Sequence, residues 1–195
     1  MVSRMSPVKA AESTDQKVTA ILRGAEEGLW MDPVMRGGAA RRPQLFDSIV
    51  PAFEAIREGG RIDPELLRLL QLKTGEINRC THYLLVRTNS VRDRVTSKED
   101  RVFAGINERE LARREVLGVR SAEKMVDDPN DTENDLREEF TDPEIVELVF
   151  ANALFTLGDD CTSRMVMNTG EGSLNSTELE SPLDHPQEIL RNSGS

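Results

Sequence analysis

Apolar residues recur at helical spacing along most of the chain, and no stretch alternates with the two-residue period of a strand. Val18, Ile21 and Leu22 predict a short helix opening near Asp15. Leu45, Ile49, Phe53 and Ile56 fall three or four residues apart and make one apolar helix face, which Gly59-Gly60 ends. Asp63 is a good N-cap with Pro64 in the first helical position. After it Leu66, Leu67, Leu69, Leu70 and Leu72 make an almost wholly apolar helix, which belongs at the centre of a fold. Gly75 inside it allows close packing or a kink. A second buried segment holds Tyr83, Leu84, Leu85 and Val86. Ser97 with Asp100 opens a short helix through Val102 and Phe103. Residues 108–127 form an amphipathic helix around Leu111, Val116, Val119 and Met125, with a break expected at Gly118. Thr132 caps a short helix, and Thr141 or Asp142 caps a long one running towards Met165. The class is all-α.

Breaks in the pattern suggest the organisation. Residues 1–14 have little periodicity and read as a mobile arm, and Gly37-Gly38 breaks the chain before the main domain. Beyond Asn168 the apolar residues are isolated among Gly, Ser, Asn, Thr and Pro. The expected division is an arm and short helix over 1–33, a main domain over 34–168 and a polar tail over 169–195. With 195 residues the chain is long enough for one domain with a proper core.

Charge narrows the partners. A net charge of −10 gives no general affinity for phosphate backbones, so nucleic acid is not an expected partner. No apolar run has membrane-spanning length and the N-terminus lacks an apolar signal core, so the expected compartment is the cytoplasm. Residues 79–120 carry ten Arg or Lys against six acids, whereas residues 121–147 carry two against eleven. Such blocks pair with each other within or between subunits, or the basic one draws in an anionic substrate. Cys80 and Cys161 are expected as free thiols, and the His and Cys residues lack zinc-ligand spacing. No metal or cofactor is expected.

Cys80, Tyr83 and Arg87 stand three and four positions apart, on one face of a helix. They lie in Asn78-Arg79-Cys80-Thr81-His82-Tyr83-Leu84-Leu85-Val86-Arg87, just after the leucine-rich helix. Residues 64–95 thereby resemble the core helical hairpin of the alkylhydroperoxidase D-like / carboxymuconolactone decarboxylase family. Arg41 to Phe46 with Phe53, Ile62-Asp63-Pro64-Glu65, and Phe140 to Leu148 extend the resemblance over about residues 34–168. It implies an alkylhydroperoxidase D-like helical bundle with a central helical hairpin. The redox branch of that family carries Cys-x-x-Cys-x-x-x-His at this place. Here Tyr83 stands for the second Cys, Arg87 for the His, and Arg68 for the acid twelve positions before the first Cys.

Those replacements decide against a disulfide cycle, which needs two thiols within bonding range. Arg87 is no base either, because a guanidinium stays protonated. Arg87 instead suits a carboxylate or enolate oxygen in a bidentate pair. Tyr83 suits proton transfer, and Arg68 lines the same pocket if the hairpin packs as in the family. The competing reading packs Tyr83 in the core while Arg68 and Arg87 bridge to the acidic segment. His82 faces elsewhere on a regular helix, as a buried His bonded to a carbonyl, or enters the pocket as the acid–base group if the geometry shifts. Cys80 is a small buried hydrophobe or a lone nucleophile.

The leading expectation is a redox-inactive, cofactor-independent enzyme acting on a small anionic or oxygenated carbon compound of lactone or keto acid type. Its chemistry would be that of a lyase or isomerase working by proton transfer. The candidate catalytic residues are Tyr83, His82 and Cys80, with Arg87 and Arg68 binding substrate. The alternative is a catalytically inactive ligand-binding or scaffold protein. A third is a single-Cys thiol-dependent redox protein. The resemblance implies a homo-oligomer, a trimer or hexamer, which the leucine-rich 64–72 helix and the opposed charge blocks also suggest.

Overall fold

Helix α4 (Pro64–Ile77) begins where its cap chemistry places it. Asp63 is extended at φ −66° and ψ 149°, its Oδ1 accepts the Leu66 N–H at 2.9 Å, and Pro64 occupies the first turn. The computed structural model describes residues 6–26, 33–58, 60–80, 83, 92–103, 106, 109–127 and 134–161, and among these there is no strand. The class is all-α, as the periodicity indicates. The helices are α1 (Gln16–Glu26), α2 (Pro33–Ala39), α3 (Pro43–Glu58), α4, α5 (Arg92–Val102), α6 (Arg113–Asp127) and α7 (Asp142–Cys161). Short 3-10 turns cover Ala10–Glu12 and Asn134–Glu138. The chain forms two compact units. One is Met1–Glu58 with Leu85–Ser90 and Asp160–Ser195; the other is Gly59–Leu84 with Val91–Asp159.

In the first unit Asp15 caps α1, its Oδ1 accepting the N–H groups of Lys17 and Val18 at 2.9 and 3.1 Å. Two expectations fail here. Gly37-Gly38 does not break the chain but lies inside α2. A Cβ on Gly37 would meet the Pro7 side chain at 2.5 Å, so the absent side chain is what lets residues 7 and 8 approach. Val8 N–H donates to the Gly37 carbonyl at 2.9 Å and Ala10 N–H to Glu26 at 2.9 Å. Residues 6–14 are therefore tied down, with Ala10, Val18 and Leu22 sharing a small core. Along α3, Ile56 is buried, but Leu45 of the expected apolar face is 59% exposed.

In the second unit α4 is the central element, packed against α5 and α6. Leu69 and Leu72 meet Val95 and Val102 of α5 and Val116 and Val119 of α6, with Leu111, in one apolar cluster. Every residue from Leu66 to Gly75 is buried within the single chain. That burial removes the leucine face of 64–72 as a reason for self-association. Helix α5 starts at Arg92 rather than at Ser97, whose hydroxyl donates back to the Arg94 carbonyl at 3.0 Å. Helix α6 starts at Arg113 and runs unbroken through Gly118. A Cβ on Gly118 would meet Leu66 Cδ1 at 2.9 Å, so this glycine serves the α4–α6 approach.

Charge also orders this unit. Buried Lys73 pairs with Glu76 at 2.8 Å and Glu123 at 2.7 Å, and donates to the Val102 carbonyl at 3.2 Å. Burial alone would lower its pKa, but the hydrogen bonds to Glu123 and Glu76 prevail and raise it. Lys98 likewise sits between Glu65 and Glu115. Each lysine thus joins one glutamate of α4 to one of α6. The basic and acidic sequence blocks pair within the chain at Arg113–Glu138 and Arg114–Glu144, 3.1 and 2.6 Å. Thr141 caps α7, and its N–H and hydroxyl both donate to Glu144 Oε2 at 2.7 Å. Glu147 ties α7 to the entrance of α4 by accepting the N–H groups of Arg61 and Ile62.

Candidate functional site

The site is built around the end of α4. Asn78 ends the helix and Arg79 follows with φ 54°, the only positive φ on a non-glycine residue among the described residues. Cys80 N–H then reaches the Gly75 carbonyl at 2.8 Å and Arg79 N–H the Glu76 carbonyl at 3.1 Å. This pair of bonds is a Schellman motif, with arginine where glycine is usual. It turns the chain sharply and delivers Cys80 and Tyr83 into the interior, 2% and 6% exposed.

Arg68 lies on α4 among leucines, 1% exposed. Its Nη1 donates to Gln71 Oε1 at 2.7 Å and to the Tyr83 carbonyl at 3.2 Å. The fold therefore brings Arg68 to the backbone of Tyr83. The Tyr83 ring meets Phe155 of α7 edge to face, with centroids 6.1 Å apart and planes at 84°. Its hydroxyl lies on Gly158, where a Cβ would be only 2.1 Å from the phenol oxygen. Asp159, the next residue, is 1% exposed, and its Oδ2 accepts from Asn78 Nδ2 at 3.1 Å. One turn before Phe155, buried Asn152 donates to Ser121 Oγ at 3.0 Å, and its Oδ1 has no hydrogen-bond partner among the described residues.

Arg68, Cys80 and Tyr83 all lie in the second unit, Cys80 just past the C-terminal end of α4 and Arg68 within the helix, where it meets the Tyr83 carbonyl. His82 and Arg87 lie outside the described residues, as do Trp30, Met31 and His185. Cys80 and Cys161 are free thiols. Burial, and then the neighbouring Asp160 charge, pushes the Cys161 thiol upward. No group of three or more His, Cys, Asp and Glu among the described residues is placed to hold a metal ion. No helix among them is long and apolar enough to cross a membrane.

Gln71, Asn78, Asn152, Gly158 and Asp159 are not among the candidate catalytic or binding residues read from the sequence. A partial signal existed. Arg68 and Gln71 interrupt a leucine run at a spacing of three, and Asn152 interrupts the apolar run of α7. Polar residues on the buried face of a helix need internal partners. Nothing local, however, names those partners.

No protein-family profile matches this chain, and no curated protein matches it. Among solved structures it is similar to an uncharacterized peroxidase-related protein from Silicibacter sp. TM1040. The TM-score is 0.66 at 17% identity, over 83% of this chain and 90% of the other. At that identity the likeness is one of fold.

Proposed function

We propose that the chain is a redox-inactive, cofactor-independent enzyme on an alkylhydroperoxidase D-like scaffold. It takes a small anionic or oxygenated carbon compound, of lactone or keto acid type, and acts on it by proton transfer. The observation that carries this reading is Arg68. A guanidinium 1% exposed in the centre of a leucine-rich helix is costly to place there. Such a charge, beside Gln71 and the backbone of Tyr83, suits an anionic oxygen of a bound molecule. Arg87 is proposed to share that role and His82 to assist the proton transfer.

The test is native mass spectrometry of the purified protein, followed by isothermal titration with the molecule it retains. Arg68→Lys keeps the charge but loses the planar fork, and binding should weaken about ten- to a hundredfold. Unchanged affinity in a folded Arg68→Lys protein would remove Arg68 from the site.

A second reading, a ligand-binding or scaffold protein without catalysis, draws on the packing of Tyr83. A hydroxyl pressed on the backbone of Gly158 serves packing as well as chemistry. Binding without turnover of the retained molecule would favour it.

The chain is also proposed to assemble with copies of itself. Val146, Val149, Phe150 and Leu157 form an apolar stripe along α7, 64%, 44%, 56% and 40% exposed. A trimer with the α7 stripe of each copy in the contact is the proposed state.

A further inference from the structure

The proposed chemistry needs a proton acceptor, and the chain has an arginine at both places where the redox branch has its acid and its histidine. We infer that Asp159 is that acceptor, working as a pair with the Tyr83 hydroxyl. The inference rests on the small-molecule reading above, but the geometry behind it is separate from Arg68.

Three observations converge on Asp159. Its carboxylate is 1% exposed, on a helix that otherwise buries mainly apolar groups. A carboxylate so placed requires donors, and one is Asn78 Nδ2 at 3.1 Å, from the turn that delivers Cys80. The phenol of Tyr83 runs along the same face of α7. Its ring packs edge to face with Phe155 and its hydroxyl rests on Gly158, the residue before Asp159. Positions 155 and 159 are one turn apart on that face.

The step balances without oxidant or reductant. The Asp159 carboxylate takes the proton from the carbon beside the ligand's carbonyl. That C–H bond breaks, an O–H bond forms on Asp159, and the electron pair moves to the carbonyl oxygen. The Arg68 guanidinium offsets the charge of the resulting enolate, and the Tyr83 hydroxyl donates a hydrogen bond. Where the ligand carries a β,γ double bond, return of the proton to the γ-carbon re-forms the carbonyl, moves the double bond into conjugation with it and completes an isomerisation.

Tyr83 is the single tyrosine of the chain, so phenolate absorbance reports on it alone. The experiment is an ultraviolet pH titration of the full-length protein and of Asp159→Asn, with folding followed by circular dichroism at each pH. Asp159 follows Gly158 on α7, and Arg68 donates to the Tyr83 carbonyl from α4; only the first charge is removed. The acid dissociation constant of Tyr83 should rise about tenfold or more in the variant, because a neighbouring negative charge no longer opposes the phenolate. Equal constants in two folded proteins would overturn the pairing. Should Asp159→Asn not fold, Tyr83→Phe with carbon-13-labelled aspartate gives the reciprocal measurement. The Asp159 carboxyl should then bind its proton at least about threefold more tightly than in the unmodified chain, and an unmoved carboxyl overturns the proposal. Loss of the Arg68 binding test would leave this coupling standing. Loss of the coupling would leave Arg68 as a binder without Asp159 as its base.

Discussion

The hydroxyl of Tyr83 occupies the space that a side chain at position 158 would fill. A Cβ on Gly158 would lie 2.1 Å from the phenol oxygen and 3.2 Å from Cζ. A helix interior ordinarily disfavours glycine by about 1 kcal/mol relative to alanine, so this one is kept for the contact rather than for the helix.

Gly158→Ala should therefore destabilise the protein by about 1–3 kcal/mol despite its better helix propensity. Tyr83→Phe removes the oxygen that clashes, so the double variant should recover at least about 1 kcal/mol relative to the sum of the two single changes. Urea unfolding of the four proteins measures the coupling. Simple additivity would mean that the hydroxyl and Gly158 are not in contact.

Arg79→Gly should stabilise the chain. The left-handed conformation at φ 54° costs a non-glycine residue about 1 kcal/mol or more, and the Arg79 side chain is exposed. A gain of about 0.5–1 kcal/mol in chemical denaturation is the expected result. A loss would show that the arginine side chain contributes more than its backbone conformation costs.

Acid should weaken the start of α7. Hydrogen bonds from the Thr141 backbone and hydroxyl, and then from Arg114, hold Glu144 at about 2, below its usual 4.5. A depressed folded-state pKa means that its stabilisation is full above about pH 4.5 and is lost as pH falls through about 2. Glu144→Gln should lower the melting temperature near neutrality and flatten its pH dependence across that window. An unchanged acid profile would contradict the assignment. Lys73 has the opposite sign. Its raised pKa gives stabilisation that is full below the ordinary 10.5 and fades only above it.

Phe150→Glu should dissociate the proposed trimer while leaving the monomer folded, because Phe150 is 56% exposed in the single chain. Light scattering at micromolar concentration should show an assembly for the unmodified chain and 21.8 kDa for the variant. A monomeric unmodified chain would end the oligomer proposal.

Turnover of an organic hydroperoxide with a dithiol reductant should be absent. Tyr83, three residues on from Cys80, cannot form a disulfide with it, and Cys80 is 2% exposed. Turnover abolished by Cys80→Ser would refute this.

The helices were legible because their signals are local. Asp15, Asp63 and Thr141 cap the helices they precede, and the leucines of α4 are buried as their run requires. Glycine misled in proportion to how far away its reason lay. Gly37 and Gly118 look like breaks in one dimension, and in three they are the points where Pro7 and Leu66 come close. The lead to Cys80 and Tyr83 came from helical spacing, and the lead to Arg68 from the family resemblance. Asn78 and Asp159 had no such route, being 81 positions apart with neither side chain marked by any local period.

The sequence by itself determined the class and the order of most helices. Both follow from spacing and residue type within a few turns of chain. Only the tertiary structure decided what Arg68 and Tyr83 touch, and that α7 brings Gly158 to the Tyr83 hydroxyl and Asp159 to Asn78. Those contacts depend on the approach of α7 to the end of α4, which is set by packing over the whole second unit rather than by any one segment.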